Sequence, residues 1–135
     1  MTLFMTATTP KARIAKGKAL ENWVAEQIAE KGLDVRAKRA FGSGSGISEK
    51  ADVYTSLMIL GQNVGIECKH VDSISLPDFW RQTQKLEKLS REPLLVIKQT
   101  GWRYEATGVF MYLDTLLELL KELKAQETIR KNLLR

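Results

Sequence analysis

The sequence predicts an α/β fold in which a mixed central β-sheet is flanked by helices. Apolar and polar residues alternate from Asn63 to Val71, which is the period of a β-strand with two different faces. Leu20, Val24 and Ile28 recur instead at the spacing of one helix face. Along the chain, segments of these two kinds give a helix, three strands, a helix, one or two further strands and a final helix.

The first helix has a recognisable start and end. Thr9 is a good N-cap residue and Pro10 suits the first helical position, while Gly32 is a typical stop. Gly17 weakens the first turns, so the helix could instead begin near it. In that case residues 1–15 would form a flexible basic arm.

Three strands are predicted next, over residues 33–41, 52–59 and 63–71, with a glycine-serine loop at 42–46. We expect the second and third strands to form a hairpin that turns at Leu60 and Gly61. In this register Asp52 lies opposite Lys69 and diagonal to Glu67, so the charged side chains share one face of the sheet. Because side chains alternate along a strand, a slip of one residue would put Asp52 on the other face.

The second half of the chain predicts a helix over residues 75–90 and two further strands, at 94–97 and 107–112. Asp114 is expected to cap a leucine-rich helix over 114–135. The leucine surface of this helix is wider than one docking stripe requires. Two alternatives remain at this stage: part of it contacts another subunit, or the whole helix packs on its own sheet.

Composition limits the possible function classes. The 135 residues, 44% of them hydrophobic, suffice for one domain with a buried core, so a single domain over 1–135 is expected. No apolar run has the length of a membrane span and no signal peptide is visible, so no membrane partner is expected. The single cysteine, Cys68, excludes an internal disulfide framework and predicts a cytoplasmic location.

The basic residues suit a polyanionic partner. Lysine and arginine number 21 against 16 acidic residues, a net charge of +5. They cluster at the first helix and before the glycine-serine loop, whose backbone N–H groups and hydroxyls could approach phosphates. The predicted DNA-binding residues are Lys16, Lys18, Arg36, Lys38, Arg39, Ser43 and Ser45. The alternatives are a solvated basic face and a plain flexible linker.

Two carboxylates and a lysine on one sheet face would suit a hard divalent cation. Mg²⁺ prefers oxygen ligands and keeps several waters, so Asp52, Glu67 and a substrate phosphate would be enough. Lys69 could orient or deprotonate a water, or neutralise charge on a phosphate. The alternative is an ordinary ion pair on a solvated strand. Glu21 either borders the cleft beside Asp52 or pairs with a lysine of its own helix.

Four short pieces of the chain, in order, resemble the PD-(D/E)xK nuclease superfamily, and the archaeal-type Holliday junction resolvases most closely. They are Lys16-Gly17 with Glu21, Arg39 with Gly42-Ser43, Ala51-Asp52, and Glu67-Cys68-Lys69. The resemblance spans roughly residues 16–97, and Ala51 replaces the proline of the pattern. It implies a restriction-endonuclease-like nuclease core in a single nuclease domain.

The resemblance also implies roles for individual residues. Asp52 and Glu67 would ligate Mg²⁺ or Mn²⁺ with the Cys68 carbonyl, and Lys69 would assist the water nucleophile. The remaining catalytic candidates are Glu21, which would complete the acidic cluster, Ser43, which would contact the scissile region, and Gln82, with Gln84 or Lys85 as its alternatives.

The activity implied is that of a metal-dependent DNA endonuclease, a homodimer that resolves four-way junctions. Two alternatives stay open. One is a nuclease of the same fold that cuts linear, nicked or flapped DNA. The other is a DNA-binding subunit that does not cut.

Overall fold

The computed structural model describes residues 9–40 and 51–134. In this part of the chain three α-helices accompany a four-stranded mixed sheet and a separate two-stranded pair, so the predicted α/β class is confirmed. The helices are α1 (Pro10–Glu30), α2 (Leu76–Gln84) and α3 (Leu113–Leu133), and the strands are β1 (Lys38–Arg39), β2 (Val53–Tyr54), β3 (Met58–Ile59), β4 (Gln62–Val71), β5 (Glu92–Gln99) and β6 (Gly108–Phe110).

One of the two inner strands of the larger sheet is β4. The strand order is β3-β4-β5-β6, with β5 parallel to β4 and the two outer pairs antiparallel. Alternate residues of β4 are buried on one face, where they pack against α1. The main members of this core are Leu20, Val24, Ile28, Val64, Ile66, Cys68 and Val96. The opposite face of β4 is therefore left for its polar side chains.

The first helix begins at Pro10, not near Gly17. The amide of Ala12 donates to Oγ1 of Thr9 at 3.1 Å, which satisfies one of the free N–H groups of the first turn. Gly32 ends the helix with a positive φ of 73°. Residues 10–15 are thus helical, so the alternative of a flexible arm over 1–15 is wrong for them. Residues 1–8 lie outside the described part.

Within the described residues 33–40, the strand predicted over 33–41 is reduced to Lys38–Arg39. The physical reason is Asp34, whose carboxylate accepts hydrogen bonds from the Arg36 amide at 3.0 Å, the Thr55 hydroxyl at 2.7 Å and the Ser56 amide at 2.9 Å. These bonds turn the chain and tie it to the segment between β2 and β3. These hydrogen bonds lower the pKa of Asp34 from 3.8 to about 2, and the bond from Thr55 has the largest effect.

Replacing Asp34 by asparagine should therefore destabilise the fold in a pH-dependent way. Because the pKa of Asp34 is lower in the folded chain, its contribution is present above about pH 4 and is lost as the pH falls through about 2. We expect Asp34→Asn to lower the free energy of unfolding at pH 7, with a difference that shrinks towards pH 2. Urea unfolding across this range measures it, with Asp114→Asn as the control. Equal stability of Asp34→Asn and wild type at pH 7 would contradict the account.

The hairpin turns where predicted, but its register changes before Asp52. Leu60 and Gly61 have positive φ values of 52° and 81°, and Ile59 pairs with Gln62. The Asp52 amide, however, donates to the Ile66 carbonyl at 2.8 Å, so the predicted pairing of Asp52 with Lys69 is wrong by three residues. The cause is the irregular segment 55–57, which interrupts the second strand.

A second fold prediction concerns Gly65 in β4. A Cβ atom there would lie 2.9 Å from Cδ1 of Leu86 and 3.1 Å from Cβ of Arg91. We expect Gly65→Ala to lower the free energy of unfolding by about 1–3 kcal/mol through overpacking. Gly17→Ala is the matched control, since a Cβ at Gly17 meets nothing within 4 Å and alanine should stabilise a helix by about 0.5–1 kcal/mol. Urea unfolding should therefore show a lower free energy of unfolding for Gly65→Ala and a higher one for Gly17→Ala, each relative to wild type.

The helices after β4 differ from the prediction in detail. A 3₁₀ turn over Lys85–Leu89 continues α2. The N-cap of α3 is Tyr112, so Asp114 lies in the first turn and is not the cap. Thr115 is the buried residue of α3, while its leucines are mostly exposed, so the alternative in which the helix packs fully on its own sheet is wrong. No helix among residues 9–40 and 51–134 is long and apolar enough to cross a membrane.

Candidate functional site

Glu67 and Lys69 lie on the face of β4 that looks away from the α1 core. Nζ of Lys69 is 3.7 Å from Oε1 of Glu67, so the two side chains form an ion pair. The same Nζ lies 5.3 Å from the centre of the Phe79 ring on α2. The ammonium of Lys69 is therefore held between a carboxylate and an aromatic face.

Asp52 is clamped beside Glu67 by two hydrogen bonds at the edge of β4. Its amide donates to the Ile66 carbonyl, and its Oδ2 accepts from the Cys68 amide, each at 2.8 Å. These two partners are the chain neighbours of Glu67. Asp52 therefore lies next to Glu67. The hairpin register predicted from the sequence had put Asp52 only diagonally across from this acid.

The electrostatics of the site reflect this crowding of acids. Burial, and then the charge of Asp52, raise the pKa of Glu67 from 4.5 to about 7, against the opposing effect of Lys69. Glu21 raises the same pKa further. Burial and these three carboxylates also raise the pKa of the Cys68 thiol well above its ordinary value. A proton or a cation at this point would relieve the repulsion.

Glu21 is buried on α1, and its Oε1 lies 3.7 Å from Nη1 of Arg39. The sequence had offered a lysine as its partner, and Lys16 is instead bonded to Asp72 at 2.8 Å and to Thr100 at 2.7 Å. An arginine from β1 therefore reaches the acid of α1. The pair joins two predicted site residues that are eighteen positions apart in the sequence.

The remaining predicted residues are dispersed. Lys18, Arg36 and Lys38 are exposed, and Nζ of Lys38 lies 5.8 Å from the Tyr54 ring. Ser43 and Ser45 lie outside the described residues. Gln82 on α2 is exposed, and so is Lys85, the residue that follows the end of α2. Nε2 of Gln84 donates a hydrogen bond to the Tyr112 hydroxyl at 3.0 Å. The Gln84 side chain is thus bonded to Tyr112, which leaves Gln82 and Lys85 as candidates.

The oxygen donors of the site suit one class of divalent cation. In the described ranges, 9–40 and 51–134, no three His, Cys, Asp or Glu side chains are grouped so that they could hold a metal ion by themselves. Asp52 and Glu67 nevertheless supply two hard oxygen donors in a strongly negative field. This pair fits Mg²⁺ or Mn²⁺ that keeps water ligands and takes an oxygen from a substrate. It does not fit a structural zinc site, which takes four ligands that are mostly cysteine and histidine.

Two contacts of the site were missed by the sequence reasoning. Phe79 has a local signal, since Phe79, Thr83 and Leu86 recur at the spacing of one helix face and the last two are buried. The Arg39–Glu21 pair has no such local signal, because it depends on how β1 packs against α1.

Comparison of the chain with protein-family models, curated proteins and solved structures finds no match.

Proposed function

We propose that this protein is a metal-dependent DNA endonuclease with a restriction-endonuclease-like core, which hydrolyses phosphodiester bonds in branched DNA. The observation that supports it most is the position of Asp52, clamped beside Glu67 with Lys69 at 3.7 Å from the second acid. An ordinary strand ion pair needs neither a second carboxylate nor a Glu67 pKa raised to about 7. Such shifts are more frequent at functional sites.

Each residue has a role in the proposed reaction. Asp52, Glu67 and the Cys68 carbonyl would hold Mg²⁺, which when bound supplies Lewis-acid stabilisation of the phosphate and lowers the pKa of a water. Lys69 orients the attacking water or neutralises charge that develops on the phosphate. Phe79 restricts the ammonium to the side of Glu67. Glu21, paired with Arg39, adds negative potential without being required as a ligand.

The substrate and assembly are part of the proposal. A net charge of +5 and the exposed cations Lys18, Arg36 and Lys38 favour a phosphate backbone as the partner. A homodimer would place two sites on symmetric strands of a four-way junction, and the exposed leucines of α3 offer it a surface. A cytoplasmic location stays a prediction from the single cysteine.

A cleavage assay on a matched set of substrates tests the proposed function. The set is a synthetic four-way junction, a flap, a nicked duplex and a linear duplex with the same arm sequences, each with Mg²⁺ and with a chelator. We expect Mg²⁺-dependent breaks in the junction above those in linear DNA. Equal cutting of the junction and of linear DNA would favour the alternative of a nuclease of the same fold that cuts linear, nicked or flapped DNA. Salt-sensitive binding with no break in any substrate would overturn the enzyme proposal and leave a DNA-binding subunit.

A further inference from the structure

An exposed tyrosine lies beside the candidate site and takes no part in the proposed reaction. Tyr54 on β2 is 67% exposed, and no other aromatic residue in the ranges 9–40 and 51–134 is more than 39% exposed. Tyrosine combines a large apolar ring with a polar tip, which is why it is frequent where proteins bind partners. The position of this ring relative to Asp52 decides what it could bind.

Tyr54 follows Asp52 by two residues on the same extended segment. Val53 between them is 2% exposed and belongs to the core that packs against α1. Because successive side chains of a strand alternate, the Tyr54 ring points to the other side of the sheet, which carries Glu67 and Lys69. Two strand residues span roughly 7 Å. That length matches about two nucleotides of a DNA strand, which rises about 3.4 Å per nucleotide.

Two cations lie beside the ring. Lys38 on β1 is the register partner of Tyr54, and its Nζ lies over the ring, 5.8 Å from the ring centre. Arg36, two residues earlier in the chain, is exposed as well. Within the part of the chain that the structure describes, neither cation forms an ion pair. Both charges can therefore neutralise phosphates of a bound strand.

An exposed aromatic ring with cations beside it suits a single-stranded nucleic acid. The ring offers a flat surface on which a base stacks, and the cations hold the backbone. A base inside a duplex has both faces covered by its neighbours, so it reaches a protein ring only after it leaves the stack. A base at a branch point or in a single strand has a free face. The ring at Tyr54 therefore favours DNA that contains an unstacked base.

We propose that Tyr54 and Lys38 bind one unstacked base, in the DNA strand whose phosphate lies at Asp52 and Glu67. The ring contacts the flat face of the base, which all four bases share. Stacking at Tyr54 thus gives a preference for branched over linear DNA without a preference for sequence. The placement of the base beside the scissile phosphate rests on the proposed function, whereas the binding of a single-stranded base does not.

Binding of a short labelled thymidine oligonucleotide in the presence of a chelator tests the stacking without any cleavage. We expect Tyr54→Ala, at an exposed position where the fold should survive, to weaken the affinity about tenfold, the size of a lost base–aromatic stack. Tyr54→Phe keeps the ring and should bind as wild type. Trp102→Ala removes an exposed aromatic residue elsewhere and is the control. No saturable binding by wild type, or a loss in Tyr54→Ala no larger than in Trp102→Ala, would overturn the inference.

Four-way junctions with a single abasic site, placed at successive positions around the branch point, show where the base lies. We expect one position, within about two nucleotides of the cut phosphate, at which loss of the base weakens wild-type binding about tenfold and leaves the binding of Tyr54→Ala unchanged. Absence of such a position would overturn the placement of the base beside the scissile phosphate. If a coupled position is found and no DNA is cut in Mg²⁺, the proposed function fails and the base-binding role of Tyr54 stands.

Discussion

Replacing Asp52 by asparagine is expected to lower the rate of Mg²⁺-dependent DNA cleavage by about 10³-fold or more. Asparagine keeps the shape of the side chain and an oxygen that can accept the Cys68 amide, so the fold around β4 should survive. The variant loses one of the two anionic oxygen donors of the site. Metal-ion stabilisation of a transferring phosphate contributes several kcal/mol, and each 1.36 kcal/mol is a factor of about ten in rate.

The measurement for Asp52 is a single-turnover cleavage rate on the labelled junction at saturating protein. Asp114→Asn is the matched control, because it removes an exposed carboxylate of the same type from α3 and should cut at the wild-type rate. Binding of the junction by Asp52→Asn should be retained or tightened, since a negative charge near phosphates is gone. Cleavage by Asp52→Asn within a few-fold of wild type would exclude Asp52 from the reaction.

The second large effect is a gain in stability when Glu67 is replaced by glutamine. Burial and the Asp52 charge raise the pKa of Glu67 to about 7, above its ordinary 4.5, so the folded chain binds a proton that the unfolded chain releases. Wild type therefore loses stability as the pH rises from about 4.5 to 7, and the loss is complete above 7. We expect Glu67→Gln to be more stable than wild type by about 2–3 kcal/mol at pH 8 and nearly equal to it at pH 4.

Urea unfolding of the metal-free proteins at pH 4 and pH 8 measures this difference. Glu118→Gln, which changes an exposed acid on α3, is the control and should show no such gain. Addition of Mg²⁺ at pH 8 should stabilise wild type and leave Glu67→Gln unchanged, because a ligand stabilises only the state that binds it. If Glu67→Gln is less stable than wild type at pH 8, the charged Glu67 stabilises the fold and the site is an ordinary ion pair.

The strand that presents Glu67 and Lys69 could be predicted from sequence because its signal is local. Alternation from Asn63 to Val71 assigns one face to the core and the other to the charged residues, and the structure follows it. The start of α1 could be predicted equally well, since the Thr9 cap and Pro10 act within one helical turn. Such signals lie in residues next to one another.

The position of Asp52 could not be predicted in the same way. Its register depends on the irregular segment 55–57, and that irregularity depends on hydrogen bonds from Thr55 and Ser56 to Asp34, more than twenty residues earlier. A period-two pattern contains no information about such a distant bond, and strand registers are specified by tertiary contacts as well as by turns. The error changed the neighbour of Asp52 from Lys69 to Ile66.

The leucines of α3 show a different limit. Their helical spacing predicts an apolar face, and the structure confirms the helix. The spacing does not say what covers that face, and Leu117, Leu120 and Leu123 are exposed in the single chain.

Paramagnetic broadening of amide NMR signals by Mn²⁺ tests the central claim, that Asp52 and Glu67 together hold a divalent cation beside Lys69. In wild type at pH 8, substoichiometric Mn²⁺ should first remove the signals of Asp52 and of the stretch from Glu67 to Lys69, and excess Mg²⁺ should restore them. In Asp52→Asn these signals should persist. Broadening that centres elsewhere in the chain, or that is the same in wild type and in Asp52→Asn, would contradict the account.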